Sequence, residues 1–200
     1  MVDPSFPRTL ETPRLSLRAY GEQDAAALMA LVDADREALR RDFHATVDRL
    51  TTLDAAGEYI REAAAERESR RTFIYGIWTR QAPALIGQIK VKNIAWEIPG
   101  AEVSYFIGPA FRRQAYASEA LLAVLRAAFG VLQFNRIYAR VVSSNQESLA
   151  LSRKLGMRHE GLHRNEFRCG YGELRDVDYF SITGAEYPGI LSKHRHILEP

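Results

Sequence analysis

Apolar positions along the 200-residue chain alternate between two spacings, and the changes between them mark the elements. From Leu10 to Arg18, Leu15 and Leu17 alternate with Arg14, Ser16 and Arg18, the period of one half-buried strand. Ala25, Leu28, Met29 and Val32 then fall at helical spacing, with Asp24 placed to cap the helix. Asp33 to Leu50 has little period, and predicts a short helix around Arg36 to Arg41 followed by a loop. Leu53 to Ser69 is a clearer helix, with Thr52 or Asp54 near its start and Tyr59, Ile60 and Ala63 on one face. Thr72 to Trp78 and Leu85 to Ile94 are β-rich runs around the turn cluster Gln81 to Ala84, so they predict an antiparallel hairpin. Its ladder passes on to a strand at Glu102 to Ile107.

The helix predicted over 118–130 places Ala120, Leu121, Val124, Leu125, Ala128 and Phe129 on one side. It leads to a strand at Arg136 to Val142, and a strand, crossover helix and strand put 102–107 and 136–142 side by side and parallel. Asn145 to Ser148 opens another helix, stopped by Gly156 after Leu151 and Leu155. His159 to Leu162, Asn165 to Cys169 and Arg175 to Ile182 read as a closing strand and hairpin, and Gly184 to Pro200 is a tail without an assigned element. The fold class that follows is α/β.

Composition narrows the setting. With 46% hydrophobic residues, the chain can bury one sizeable core, and nothing in it looks like a break between two cores; a single domain over 1–200 is expected. A formal charge of +2 is too small to argue for direct nucleic-acid binding, and the Arg pairs at 40–41 and 70–71 read as solvated positions. Cys169 is the only cysteine, which rules out an intrachain disulfide and makes a passive thiol the expected reading. Met1 to Arg8 lacks the pattern of a secretion signal, and no stretch approaches the roughly twenty apolar residues of a membrane span. A cytoplasmic protein without a membrane partner is the expectation. His159 and His163, and His194 and His196, are spaced as a metal could use, but no cysteine or second carboxylate stands at ligand spacing, so no metal site is expected.

The chemistry centres on Ala101 to Gly130, where a short strand, the punctuation Gly108-Pro109 and the basic turn from Arg112 to Ala117 run into a helix. The first amides of a helix lack internal partners and the dipole makes that end positive, so such a turn suits a phosphate. Arg112-x-x-Ala115-x-Ala117 resembles the (Q/R)-x-x-G-x-(G/A) signature of the GNAT superfamily of N-acetyltransferases. Tyr116 to Leu121 resembles the usual continuation. The opening Thr12-Pro-Arg-Leu-Ser-Leu-Arg18, Asn145-x-x-Ser148 with Lys154-Leu-Gly-Met157, and Asp176 to Ile182 are similar to segments of the branch containing the ribosomal-protein-alanine N-acetyltransferases. The likeness covers about residues 8 to 184, the expected core. Two positions depart from the pattern: Ala115 stands where glycine is usual, and Ser152 where many relatives carry tyrosine.

The resemblance implies a mixed, mostly antiparallel central sheet with helices on both faces and a splayed parallel strand pair. It implies acetyl-CoA as co-substrate, held by the main chain of Tyr105, Phe106 and Ile107, by the turn Arg112, Arg113, Gln114, Ala115, Tyr116, Ala117 and Ser118, and by Asn145 and Ser148. An N–H near Phe106 or Ile107 would face the developing oxyanion. Glu102, at the start of the splayed strand, is the candidate base, against a solvated strand-end carboxylate. Ser148 is the candidate for protonating or steadying the thiolate, against a helix N-cap. Arg164, Asp176 and Tyr179 match the closing hairpin and either line the amine channel or pair structurally. The implied acceptor is a protein N-terminal α-amine, with a small-molecule amine and a silent acyl-CoA-binding module as rivals. A homodimer stays open.

Overall fold

The computed structural model describes residues 5–198, through which runs one eight-stranded sheet. The strands are β1 (Thr9–Glu11), β2 (Leu15–Arg18), β3 (Phe73–Thr79), β4 (Leu85–Ala95), β5 (Gly100–Ile107), β6 (Arg136–Val142), β7 (Arg158–Arg168) and β8 (Leu174–Thr183), in the order β1-β2-β3-β4-β5-β6-β8-β7. Helices α1 (Ala25–Asp33), α2 (Arg36–Val47) and α3 (Leu53–Glu68) cover one face, and α4 (Tyr116–Leu125), α5 (Gln146–Lys154) and α6 (Tyr187–Leu198) the other. The period of two along each strand feeds both cores. Ile74 and Phe106 meet Leu28, Tyr59 and Ile60 on the first face, while Tyr75, Val103 and Ile107 meet Leu121, Val124 and Leu149 on the second. This is the mixed, mostly antiparallel α/β architecture that the pattern and the resemblance predict.

β5 and β6 are parallel, and α4 is their crossover helix. Their register runs Gly100 to Arg136, Ala101 to Ile137 and Glu102 to Tyr138, and then stops. Beyond Glu102, β5 stays on β4 to Ile107 and β6 stays on β8 to Val142, so the two strands diverge and the sheet opens as a wedge. No helix among the described residues is long and apolar enough to cross a membrane.

Several local expectations change. Leu10 to Arg18 is two antiparallel strands, because Pro13 has no N–H to continue a ladder and Thr12 closes a turn on Leu15 through both its amide (2.9 Å) and its hydroxyl (3.2 Å). Asp24 stands at the start of α1 without capping it: its carboxylate takes two bonds from Arg18, 2.6 and 2.9 Å, and one from Gly21 N–H, 2.8 Å. Leu31 is buried in α1 where Met29 was expected to be. α2 runs on to Val47 through a kink at Phe43, its low periodicity reflecting that only Leu39, Thr46 and Val47 are buried. The helix expected over 118–130 ends as α4 at Leu125 and continues as a wider π-helical turn, Arg126–Val131. The tail is helix α6, whose Tyr187, Ile190 and Leu198 complete the second core. The ends of the chain, 1–4 and 199–200, lie outside the described residues.

Candidate active site

Backbone direction identifies the free edge of the wedge. The Pro99 carbonyl accepts from Asn135 and Arg136 N–H, and Gly108 N–H donates to Ile86 on β4. Successive residues of a strand face opposite sides, so Val103, Tyr105 and Ile107 turn their amides and carbonyls toward the gap, while Ser104 and Phe106 turn theirs to β4. Past Glu102 no strand among the described residues pairs with that edge. Of the three residues named for main-chain contact, Tyr105 and Ile107 therefore offer free groups, whereas Phe106 N–H is turned into the ladder and its side chain packs in the first core. The Ile107 carbonyl already accepts from Arg112 Nε at 3.1 Å.

A cavity of about 120 Å³ fills the wedge. Side chains alternate across the strand as well, so it is walled by Glu102 and Ser104 on the α2 side and by Val103 and Tyr105 on the α5 side. Asp42 and Phe43 at the α2 kink, Arg140 on β6, and Phe167 on β7 add to the first side; Asn145 and Ser148 add to the second. Glu102 is 3% exposed, not a solvated strand-end carboxylate. One of its oxygens takes a 2.7 Å bond from Asn93 Nδ2 and the other pairs with Lys92 Nζ at 3.1 Å, Lys92 being its register partner on β4.

Asn145 caps α5: its side-chain oxygen accepts from Ser148 N–H at 3.0 Å, and its amide nitrogen donates to Asp42 at 2.8 Å, linking the two faces across the cavity mouth. Burial raises the Asp42 carboxyl above its ordinary range against the opposing effects of Asn145 and nearby arginines. Because the Asn145 side chain supplies the cap, the Ser148 hydroxyl is not spent on it and stands toward Tyr105 on the cavity wall. The Ser152 hydroxyl is committed to the Ser148 carbonyl at 2.9 Å. Tyr105 Oη, facing Ser148, is buried, which pushes its pKa up to about 12.

The turn before α4 has two residues with positive φ, Arg113 (60°) and Ala115 (64°). Alternating handedness turns successive N–H groups to the same side, a concavity suited to an anion. Among the described residues, the amides of Arg113, Gln114, Ala115, Tyr116, Ala117 and Ser118 donate to no protein acceptor. Arg112 points elsewhere, ion-paired with Asp35 on the loop before α2, while Arg113 is exposed. An unsatisfied anion cradle, an unpaired strand edge and a cavity at their meeting point fit the diphosphate, arm and thioester of acetyl-CoA.

Sequence reasoning missed the residues that hold this arrangement. Arg14 donates to Glu119 through Nε at 2.6 Å and to the Gln114 carbonyl at 3.1 Å, and its guanidinium lies 4.5 Å over the Tyr116 ring. Glu119, 1% exposed, also accepts from Thr12 Oγ1 (2.6 Å) and Arg14 N–H (3.0 Å). Nothing local in the sequence marks Asp42 or Asn93, while Arg14 and Glu119 lie in segments that carry the resemblance but had no assigned role. In the closing hairpin, Asp176 accepts from Asn165 N–H at 2.8 Å, and Tyr179 donates to Glu166, which also pairs with Arg140 at 2.9 Å. His159 pairs with Asp178 and His163 with Glu166. Cys169 is buried and unbonded to another cysteine.

The opened sheet and the turn beside it suit a long, doubly charged carrier, and they place the molecule among transferases that draw an acyl group from one. Comparison narrows that class: residues 14–158 match the family described as acetyltransferase (GNAT) domain, so the chain belongs to this family and is an acetyl-CoA-dependent N-acetyltransferase. It is 32% identical over 174 residues to the uncharacterized N-acetyltransferase YoaA of Bacillus subtilis (strain 168), covering 87% of this chain and 96% of that one. The fold resembles RimL, a ribosomal L7/L12 alpha-N-protein acetyltransferase solved with coenzyme A (TM-score 0.80, 19% identity, 88% of this chain and 97% of that one). It also resembles the ribosomal-protein-S5-alanine acetyltransferase from Vibrio fischeri (TM-score 0.78, 16% identity, 90% and 98%).

Proposed function

We propose that this N-acetyltransferase modifies the N-terminal α-amine of a protein, a ribosomal protein with N-terminal alanine being the first candidate, and that the chain works as one catalytic unit. The observation that carries this reading is the state of Glu102. Both of its oxygens already hold donors, Lys92 and Asn93, so its contacts are largely taken up within the protein. An α-amine, with an unperturbed pKa near 8, is neutral in about one molecule in ten at pH 7; a lysine at about 10.4 is neutral in fewer than about one in a thousand. A carboxylate so occupied suits the first, which needs little help to lose its proton, better than the second. Two structural neighbours described as ribosomal-protein acetyltransferases support a protein acceptor.

In this reading the amides of 113–118 hold the diphosphate, with Arg113 adding charge from outside. The gap-facing groups of Tyr105 and Ile107 align the arm, and an N–H of this edge meets the developing oxyanion. Glu102 takes the surplus proton of the nitrogen through water on the α2 side. Ser148 stands by the sulfur on the α5 side. The C–N bond forms, the C–S bond breaks with its electron pair going to sulfur, and coenzyme A leaves with a proton from solvent.

Thiol release with acetyl-CoA tests the acceptor. Peptides with a free N-terminal alanine or serine are expected to exceed N-blocked lysine peptides and polyamines by about a hundredfold in kcat/KM, on the order of the difference in neutral amine. Blocked peptides or small amines reacting faster would overturn the reading. Glu102→Gln is expected to cost most at low pH, and an unchanged pH profile removes Glu102 from proton transfer.

A further inference from the structure

We propose that Lys92 is an internal acceptor: when no amine substrate is present, its Nζ takes the acetyl group of bound acetyl-CoA and the protein acetylates itself at this position. Lys92 lies opposite Glu102 in the register of β4 and β5, so both side chains rise on the α2 side of the sheet. Both line the cavity, and Lys92 Nζ stands 3.1 Å from Glu102 Oε1. A primary amine of the protein thus occupies the place from which an acceptor nitrogen would hand its proton to Glu102. The inference rests on the reading that the thioester enters the wedge, but not on which amine is the natural acceptor.

The chain around Lys92 is shaped for this contact. Successive residues of a strand face opposite sides, yet Lys92 and Asn93 both reach Glu102. The register of β4 on β5 shifts just after Lys92, and Asn93 takes a positive φ of 50°, which turns its amide to the same side. Lys90, two residues earlier on the same face, is spent differently: it lies opposite Ser104, donates to Thr46 Oγ1 at 2.7 Å and is not part of the cavity wall. Lys154 and Lys193 are exposed on α5 and α6, the helices of the other face. Of the chain's four lysines, all within the described residues, Lys92 alone presents its side chain to the cavity.

Proximity offsets the charge. A lysine is neutral in fewer than about one molecule in a thousand at pH 7, but a nitrogen held against its target acts at an effective concentration on the order of 10⁵ M or more. Lysines arriving from solution lack that gain, so self-acetylation and a preference for α-amines agree. In the step, the Nζ lone pair attacks the carbonyl carbon, the C–N bond forms, and the C–S bond breaks with its electron pair on sulfur. Two protons leave the ammonium by way of Glu102 and water, one before attack and one as the amide forms. One of them ends on the sulfur of coenzyme A and the other in solvent. The product is a neutral side chain that no longer pairs with Glu102.

The test uses the whole protein and acetyl-CoA without any added amine, read by intact mass and peptide mapping. A gain of one acetyl group is expected, on Lys92, while Lys154 and Lys193, which report direct chemical acetylation by the thioester, lag by about tenfold or more. The rate should be first order and unchanged on dilution, as transfer within one chain requires, and Glu102→Gln should slow it about tenfold to a hundredfold. A saturating active amine should protect Lys92 by displacing it from Glu102, and Lys92→Arg, which keeps a cation there, should abolish the mark. An unmodified Lys92 in a preparation that turns over an added amine overturns the inference and leaves the reading of the wedge standing; loss of both fails the two together. Acetylation spread evenly over Lys92, Lys154 and Lys193, or a rate that rises with protein concentration, also overturns it.

Discussion

Ala115 holds a backbone conformation that its own methyl group disfavours, with φ 64° and ψ 9° at the start of α4. A left-handed residue with a Cβ costs roughly 1–2 kcal/mol, and glycine there returns about 0.4–1 kcal/mol of that through a freer unfolded chain. Ala115→Gly is therefore expected to stabilise the fold by up to about 1 kcal/mol. It should also tighten coenzyme A binding, since the diphosphate can come closer to the amides; a higher dissociation constant by calorimetry would count against the cradle. Asp42 makes a prediction in pH. Its raised carboxyl means the folded state binds more protons above the unfolded value near 3.8, so stability falls as pH rises from there through the folded value and stays lowered beyond it. Asp42→Asn keeps an acceptor for Asn145 and removes that loss. Its melting temperature should exceed the wild type at pH 7 and match it near pH 3.

At the scale of elements, the turn proposed to grip the diphosphate is held by a strand hairpin far away in sequence. Arg14, in the β1–β2 turn, ties the Gln114 carbonyl, the Tyr116 ring and Glu119 together. Removing it leaves Glu119 buried with only Thr12 and the amide of residue 14 as donors. Because Arg14 is itself 45% exposed, the loss is discounted to about 1–2 kcal/mol of stability. Arg14→Ala should weaken coenzyme A binding several-fold with kcat at saturation nearly unchanged, since the chemistry lies at the other end of β5. A drop in kcat with unaltered affinity would show that the hairpin serves something else. The single strand expected over Leu10 to Arg18 hid this clamp: the alternation of Leu15 and Leu17 was legible, but the chain reversal depends on how Thr12 bonds Leu15 around Pro13.

For the whole molecule, α6 is part of the fold and not an appendage. Tyr187 stacks on Phe129 with centroids 5.0 Å apart, and Ile190 lies over the Gly156 turn that ends α5, where a side chain added at Gly156 would touch it. Ile190→Ala should cost about 2–4 kcal/mol by denaturant unfolding, a loss of transfer energy plus cavity. Less than about 1 kcal/mol would mean that α6 does not stabilise the core beneath α4 and α5. The segment had no assigned element because its apolar residues are few and its polar ones many; only the patch it covers makes the period meaningful.

Most strands and helices, the basic turn before α4 and the family were present in the amino-acid order itself, because spacings of two and 3.6 residues are local and report which face must leave water. Glu102 could be named for the same reason, standing where a strand begins to separate from its neighbour. What the order could not contain is who meets whom in the wedge: Lys92 and Asn93 fastening Glu102, Asp42 reaching Asn145 from 103 positions away, and the buried phenol of Tyr105 beside Ser148. Those meetings depend on how two helical layers settle on opposite faces of a sheet that opens after three paired residues. Periodicity says which face a side chain takes; only packing sets the distance and direction to a group remote in the chain.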